Sequence, residues 1–529
     1  MLAVVGCVLL SALVVLPLIG WPPLIRVAPV LLAAALALTI GARPWRWTDD
    51  DWDRVAAWRP SDRVLRRAAA VAGLILFWFV WTRFRSGQIN AIDFTVYYDR
   101  PCFQTLLGHP LYVESADDTA RAFRSVLAVH AHWLLLPLAA LYAIWATPLW
   151  LLALSVVAVV AGAVYTFRIV DEAGGGGLIG SAAALAFVLN DNTARTLNYG
   201  FHAEVFYAWF VPWMIHAGLQ RRWRSFAAAA ACCIALKEDA FLLLVGVAAV
   251  LALAGRRPLK GREWLYAVAP VAIALVNLAL FYRLVVPRLS ANGAVFYANY
   301  WANYGPTAAT AALGMLRRPG QVIWSTLTSA FTTRVLVPHL YLPLVGWRWF
   351  IGIVPVVLLY GASANEQIRS FGIYYAIVLV PFMVLGSASG AERCARFLIG
   401  HAGRARAAAA AALVAGALLG GVTNAGYSLR PWKPEITALP ALLDSLGPNQ
   451  IVLIQSGLYP HAGYAANRQL LTEISLNDPR YAGAVLVLTR RVTAYPLTPA
   501  DTEPLYALPA IARTSSGLVA VQWKGAPAR

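Results

Sequence analysis

Long uninterrupted runs of apolar residues dominate this sequence and decide what the chain can fold into. Several continue for about 18 to 25 residues, the length at which an α-helix crosses about 30 Å of hydrocarbon. Hydrophobic residues make up 60% of the 529 residues and charged residues only 13%, too little charge to cover a water-soluble protein of this size. The runs also lack the alternation of transmembrane β-strands. The sequence therefore predicts an all-α polytopic membrane protein.

The basic residues follow the pattern of cytoplasmic loops. The net charge is +18, and the arginines and lysines sit in short runs between apolar segments, as at residues 221–224 and 256–262. This is the distribution that the positive-inside rule describes, and it argues against a nucleic-acid partner. The five cysteines have neither metal-site nor disulfide spacing.

Charge also predicts the topology. The N-terminus lacks a basic n-region and is interpreted as an uncleaved first helix. The basic segment 42–67 is placed in the cytoplasm, and a helix over 68–82 then leads to a first extracytoplasmic loop of about residues 83–125. The basic run at 393–406 sends the helix over 405–424 outward. We predict about 11 to 14 transmembrane helices, including short or re-entrant ones, in a bacterial inner membrane.

The number of membrane crossings is inconsistent in one part of this topology. If the first outer loop and residues 190–201 lie on the same side, the three apolar runs between them are one too many. The glycine run at 174–177 and the brief apolar run after it favour a half-length or re-entrant helix there.

The composition changes near residue 430. Prolines and turn residues separate short strand-like runs, at 451–454 and 484–488. We therefore predict a transmembrane domain over residues 1–425 and a small extracytoplasmic α/β cap over residues 426–529.

Four polar groups interrupt the apolar sequence. The first is the segment 93–100; if it is helical, Asp93, Tyr97 and Arg100 lie on one face. The second is His130 and His132, the third is His202 with Glu204, and the fourth is the triplet Lys237, Glu238 and Asp239. Asp93 could also be a simple loop or N-cap residue.

The triplet at 237–239 is the most unusual of the four. It lies in the middle of a thirty-residue apolar run, and three adjacent residues on a helix spread over about 200°, so they cannot all avoid lipid by facing one way. Each charge at the centre of a bilayer costs about 2.5 to 3.5 kcal/mol. We expect a hairpin of two short helices whose tip lies in a hydrated cavity, with Lys237 paired to a carboxylate. A polar turn or an internal ion pair without further role is the alternative.

His130, His132, His202 and Glu204 are residue types that could form a metal site. Neutral histidines at a membrane interface are the commoner arrangement, so we predict no metal ligands.

Several motifs occur in a characteristic order. They are Asp-Phe at 93–94 with Leu-Leu-Gly-His-Pro-Leu-Tyr at 106–112, a histidine before Leu-Pro-Leu at 130–138, Gly-Phe-His-Ala-Glu at 200–204, Lys-Glu-Asp at 237–239, and Tyr-Tyr with Val-Pro-Phe at 374–382. In this order they resemble the membrane-protein family named domain of unknown function 2079, over about residues 80–480. That family looks like a branch of the GT-C glycosyltransferases, which use polyprenyl-phosphate sugars and carry a catalytic carboxylate in the first outer loop.

The resemblance implies a GT-C-like fold and the activity of a membrane glycosyltransferase. Asp93 occupies the place of the catalytic base, and Lys237 is the preferred cation for the departing phosphate, with Arg283 and Arg369 as alternatives. The remaining candidate substrate-binding residues are Tyr97, Tyr98, Arg100, His130, His132, His202, Glu204, Glu238, Asp239 and Tyr374.

The predicted function is transfer of a sugar from a polyprenyl-phosphate donor to an extracytoplasmic glycan, lipid or protein acceptor, with inversion at the anomeric carbon. The expected partners are membrane lipids, the lipid-linked donor and that acceptor. No cofactor is demanded by this chemistry, and a divalent metal is not excluded by it. The alternatives are a transporter or flippase of lipid-linked glycans and a non-catalytic membrane scaffold.

Overall fold

The computed structural model describes residues 47–89, 91–114, 124–255, 257–290, 296–423, 427 and 430–525. The described residues are mainly helical as far as Thr423, and a small sheet follows in the C-terminal part. The predicted fold class, a helical membrane protein with a small C-terminal α/β part, is confirmed. The predicted first helical pair falls within residues 1–46, outside the described residues.

Within the part of the chain that the structure describes, five stretches are long and apolar enough to cross a membrane. They are Asp62–Arg85, Leu149–Tyr199, Glu263–Leu289, Tyr375–Ile399 and Ala402–Gly420. Shorter apolar helices cover Leu135–Ile144, Trp223–Ile234, Ala240–Leu253 and Trp347–Gly361. The total of 11 to 14 spans stays a prediction.

The other elements are mostly short. The further helices up to Thr423 include Asp49–Ala57, Arg100–Leu106, Asp191–Tyr199, Tyr207–Leu219, Ala308–Arg317, Pro319–Leu327, Leu342–Val345 and Glu366–Arg369. Four segments have the wider turns of a π-helix: Ile92–Asp99, Asp171–Gly175, Phe281–Val285 and Thr332–Leu336.

The glycine run at 174–177 forms a turn between two antiparallel helices, Leu149–Val170 and Gly176–Leu189. Gly174 and Gly176 both have positive φ, which glycine adopts without strain. The two helices pack closely at glycines that have no side chain. A Cβ added to Gly162 would lie 2.9 Å from Phe187, and one added to Gly180 would lie 3.0 Å from Phe167.

The extra apolar run is therefore the one at 126–146. It contains only a 3₁₀ turn and the short helices Leu135–Leu138 and Ala140–Ile144. The ten residues of the span Leu135–Ile144 rise only about 15 Å, half of the hydrocarbon thickness. Helix Gly176–Leu189, after the glycines, has 14 residues and rises about 21 Å, so the predicted half-length helix at that position stays a prediction.

The segments predicted to be cytoplasmic meet at one end of the molecule. Arg59 pairs with Asp171 at 3.2 Å, Arg406 donates to the carbonyl of Gly174 at 3.2 Å, and Arg404 pairs with Asp49. The loops around residues 49–59, 171–175 and 404–406 thus share an end, as the charge pattern predicts.

The C-terminal part contains a five-stranded sheet in the order β2-β1-β3-β5-β4. The strands are β1 Val452–Ile454, β2 Arg468–Leu470, β3 Val485–Leu488, β4 Ala510–Arg513 and β5 Val519–Gln522. Both predicted strands are present, as β1 and β3. β1 pairs in parallel with β2 and β3, whereas β5 pairs antiparallel with β3 and β4. Helices Pro434–Ser445, Glu473–Asn477 and Pro499–Tyr506 accompany the sheet. The domain boundary at residue 425 stays a prediction.

The cap is attached to the chain just after helix Asp62–Arg85. The backbone N–H of Lys433 donates to the carbonyl of Arg85 at 3.1 Å, and His461 Nε2 donates to the carbonyl of Phe84 at 3.1 Å. Tyr464 donates to Asp99 Oδ1 at 2.8 Å. These bonds hold the cap against the segment that contains Asp93.

His461 makes this attachment sensitive to pH. Burial lowers the pKa of His461 to about 3, whereas the unfolded side chain titrates near 6.5. The folded state therefore keeps the imidazole neutral, and its stability falls as the pH drops below 6.5. Between pH 7.5 and pH 5.0 we expect a loss of about 2 kcal/mol from this residue.

Denaturant unfolding of the purified protein in detergent at the two pH values measures this loss. His461→Gln should lose less stability on acidification than the wild-type protein. His109→Gln, at an exposed histidine, should behave as the wild type does. Equal acid sensitivity of wild type and His461→Gln would contradict the prediction.

Candidate functional site

A cavity of about 1470 Å³ lies in the helical part of the chain, and Tyr495 of the cap also lines it. Eleven of the fourteen site residues predicted from the sequence line it: Asp93, Tyr97, Tyr98, His130, His132, His202, Glu204, Lys237, Glu238, Asp239 and Tyr374. The volume exceeds the roughly 300 to 1,000 Å³ of ordinary small-molecule sites, so it can hold a large ligand.

The segment Ile92–Asp99 is a π-helix. Its wider turn brings Asp93, Tyr97 and Tyr98 to the cavity together. Arg100 turns away from it, which corrects the face predicted from ideal α-helical spacing. The Arg100 side chain is buried, pairs with Glu114 at 2.6 Å and donates to the carbonyl of Gly463 at 2.6 Å.

Asp93 accepts a hydrogen bond from the hydroxyl of Tyr199. Burial raises the pKa of Asp93, and the nearby His202 opposes this rise. A raised pKa makes the carboxylate a stronger base, closer to the range in which general bases work best.

A chain of buried polar groups connects this region to Lys237. His202 Nδ1 donates to the Glu204 carboxylate, and its Nε2 lies 3.0 Å from the Tyr98 hydroxyl. The other oxygen of Glu204 accepts from Lys237 Nζ at 2.9 Å. Glu204 thus compensates the buried lysine and fixes its position.

Lys237 lies at the tip of a hairpin, as expected. Helices Trp223–Ile234 and Ala240–Leu253 flank the triplet. Besides Glu204, Lys237 has Asp239 Oδ2 at 3.6 Å. The ammonium group therefore takes part in an internal ion pair while also lining the cavity.

Glu238 is held by a second group of residues. It accepts hydrogen bonds from His130 Nδ1 at 2.9 Å, the backbone N–H of Ala131 at 3.0 Å and the Tyr297 hydroxyl at 2.6 Å. His132 Nδ1 donates to the carbonyl of Leu236 at 2.5 Å. Within the described ranges, no group of three histidine, cysteine or acidic residues is arranged to hold a metal ion.

The two alternative cations lie away from the cavity lining. Arg283 is exposed on the π-helix Phe281–Val285. Arg369 donates to Thr328 Oγ1 at 3.1 Å. Lys237 is thus the single lysine or arginine lining the cavity among the residues that the structure describes.

Sequence reasoning missed most of the tyrosines around the site. The additional lining tyrosines are Tyr199, Tyr282, Tyr297, Tyr300, Tyr360, Tyr375 and Tyr495. The aromatic composition of the 288–321 loop and the Tyr374-Tyr375 pair were the available signals. Nothing in the sequence pointed to Tyr495, which comes from the cap.

One side of the cavity is apolar. Leu275 from helix Glu263–Leu280, Leu316 from Ala308–Arg317 and Ile323 from Pro319–Leu327 line it. These three side chains are also 45%, 78% and 51% exposed. The cavity is therefore open on this apolar side.

A search of the curated proteins gives no match to this sequence. The crystal structure of ArnT from Cupriavidus metallidurans in the apo state is similar to this chain, with a TM-score of 0.46 and 10% sequence identity, over 86% of this chain and 98% of that chain. The family model described as "Predicted membrane protein (DUF2079)" matches residues 88–462. This match covers more than half of the sequence, and the chain belongs to the DUF2079 family of membrane proteins.

Proposed function

We propose that this protein is a membrane glycosyltransferase that moves a sugar from a polyprenyl-phosphate donor to an extracytoplasmic acceptor, with inversion and with Asp93 as the general base. The observation that carries the proposal is the combination, in one cavity, of a carboxylate, a buried lysine and an apolar opening. An amphiphile with a sugar at its head and a long chain at its tail matches these three features. The resemblance to GT-C glycosyltransferases points to the same chemistry.

The apolar side suits the donor's chain. Leu275, Leu316 and Ile323 are exposed at the opening, so a polyprenyl tail can stay in contact with lipid while the head enters. Apolar burial supplies about 25 cal/mol per Å². The phosphate would then lie toward Lys237, whose charge opposes the negative charge that grows on the leaving group.

The reaction needs one proton acceptor. A lipid phosphate has a second pKa of about 6 and can leave without a general acid, whereas the attacking hydroxyl of the acceptor must lose its proton. Asp93 removes that proton while the oxygen attacks the anomeric carbon from the side opposite the phosphate. The C–O bond to the phosphate breaks, and the released polyprenyl phosphate keeps the bonding electrons.

The test uses the purified full-length chain in sealed proteoliposomes with undecaprenyl phosphate carrying a radiolabelled mannose, glucose or arabinose, and with an extract of the source membranes that supplies glycan, lipid and protein acceptors. Release of free undecaprenyl phosphate together with labelled product supports the proposal. Movement of the intact donor between leaflets without cleavage would instead support a transporter. Neither cleavage nor movement of any of the three donors would contradict both proposals and favour a scaffold.

A further inference from the structure

Tyr495 is the one cap residue that lines the cavity among the residues the structure describes. Its side chain is 57% exposed. It is close enough to Tyr199 to interact with it electrostatically, and Tyr199 donates to Asp93. The cap therefore places an aromatic ring near Tyr199, the tyrosine that donates to the proposed base.

The segment that carries Tyr495 is firmly anchored. Gln455 donates to the carbonyls of Val492 at 2.9 Å and Thr493 at 3.1 Å, which ties the segment to the end of β1. Val492 also packs on Gly87, where an added Cβ would lie 2.7 Å from Val492 Cγ1. The hydrogen bonds from Gln455 and the packing of Val492 on Gly87 thus hold the segment that carries Tyr495 in place.

The charge of the cavity restricts what can bind between Tyr495 and Asp93. The lining includes four carboxylates, on Asp93, Glu204, Glu238 and Asp239, and one lysine. Glu204 already compensates Lys237 at 2.9 Å. Burial lowers the pKa of His132 to about 3, so this histidine adds no positive charge. Carboxylates thus outnumber lysines and arginines in the lining by four to one, and Lys237 is the lysine that can face the phosphate of a donor.

We propose that Tyr495 and the tyrosines near Asp93 form the acceptor subsite, and that this subsite takes a glycan segment without negative charge. The proposal rests on the proposed function and narrows it. Aromatic rings offer apolar faces to sugar C–H groups, and carboxylates accept hydrogen bonds from sugar hydroxyls. An acceptor bearing phosphate, sulfate or carboxylate at this point would meet like charge without a compensating cation.

The first test needs no turnover. Tyr495→Cys is introduced into a full-length chain whose native cysteines are replaced by serine or alanine, and it is reacted with methanethiosulfonates that carry trimethylammonium, sulfonate or neutral glucose groups. Ser515→Cys, an exposed cap position outside the cavity lining, gives the reference rates. The ratio of cationic to anionic rates at position 495 should exceed that at position 515 by about tenfold or more, since acidic clefts concentrate cations.

Adding Asp239→Asn should lower this ratio, because it removes one of the lining carboxylates. Equal ratios at positions 495 and 515, or faster reaction with the sulfonate, would overturn the proposal. If the replacement of native cysteines prevents folding, the same rates are measured by mass spectrometry of the peptides that contain positions 495 and 515 in the otherwise native chain.

The second test examines the product. Membranes of the source organism are supplied with radiolabelled donor. The labelled glycan is cut down to the sugar units next to the transferred sugar, and this fragment is passed over an anion exchanger. Label in the unbound fraction supports the subsite, and label in the bound fraction overturns it. Absence of any labelled product contradicts the proposed function itself, whereas the thiol rates still decide the charge preference of the subsite.

Discussion

Asp93→Asn should abolish sugar transfer while leaving the fold intact. Asparagine keeps the size of the side chain and an oxygen that can accept the hydrogen bond from Tyr199, but it cannot take a proton from the attacking hydroxyl. Loss of a general base lowers rates by about 100-fold to 10,000-fold. The measurement is the rate of undecaprenyl phosphate release from the radiolabelled donor by the purified variant.

The control for this experiment is Asp50→Asn. Asp50 is exposed near the start of helix Asp49–Ala57, among the segments at the opposite end from the cavity. Its substitution should leave transfer at the wild-type rate. Thermal unfolding in detergent should be similar for Asp93→Asn, Asp50→Asn and the wild type. Wild-type transfer by a properly folded Asp93→Asn protein would remove Asp93 from the mechanism.

Lys237→Met should cost both stability and transfer. The substitution leaves Glu204 buried without the ammonium group that now lies 2.9 Å away. Breaking a buried ion pair by removing one partner destabilises a protein by about 3 to 5 kcal/mol. Transfer should fall by at least about 100-fold as well, since the departing phosphate loses the cation that faces it.

A double variant separates the two effects. Lys237→Met combined with Glu204→Gln removes both charges, so it should recover much of the lost stability without recovering transfer. Denaturant unfolding and donor cleavage are measured on the same preparations. Arg490→Met, which breaks the exposed pair with Glu503, should change neither quantity appreciably. Recovery of transfer in the double variant would show that Lys237 has only a structural role.

The hairpin at 237–239 was predictable because its physical cause is local. Three consecutive charged residues cannot be buried on one helix face, so the apolar run had to be interrupted there, and the structure has short helices on both sides. The partner of Lys237 was not predictable in the same way. Glu204 precedes it by 33 positions, and that pairing depends on how separate helices pack.

The segment at 92–100 shows the same division. The sequence marked Asp93 and its tyrosines as candidates, but the assumption of α-helical spacing put Arg100 on their face. The π-helical turn moved Tyr98 into the cavity and left Arg100 to join the cap to the loop. A change from α to π spacing follows from packing around the segment, which residue periodicity alone does not report.

The amino-acid sequence by itself determined the helical membrane architecture, the end of the molecule where basic loops gather and the main ionisable groups of the site. These properties follow from the free-energy cost of placing charges and unpaired backbone groups in hydrocarbon. This cost depends on each segment alone and not on its neighbours in the fold. Only the tertiary structure decided that the run at 126–146 stays short, that Glu204 compensates Lys237 and that Tyr495 of the cap reaches the cavity. Each of these depends on contacts between segments far apart in the chain, and such contacts form only when the helices and the cap pack together.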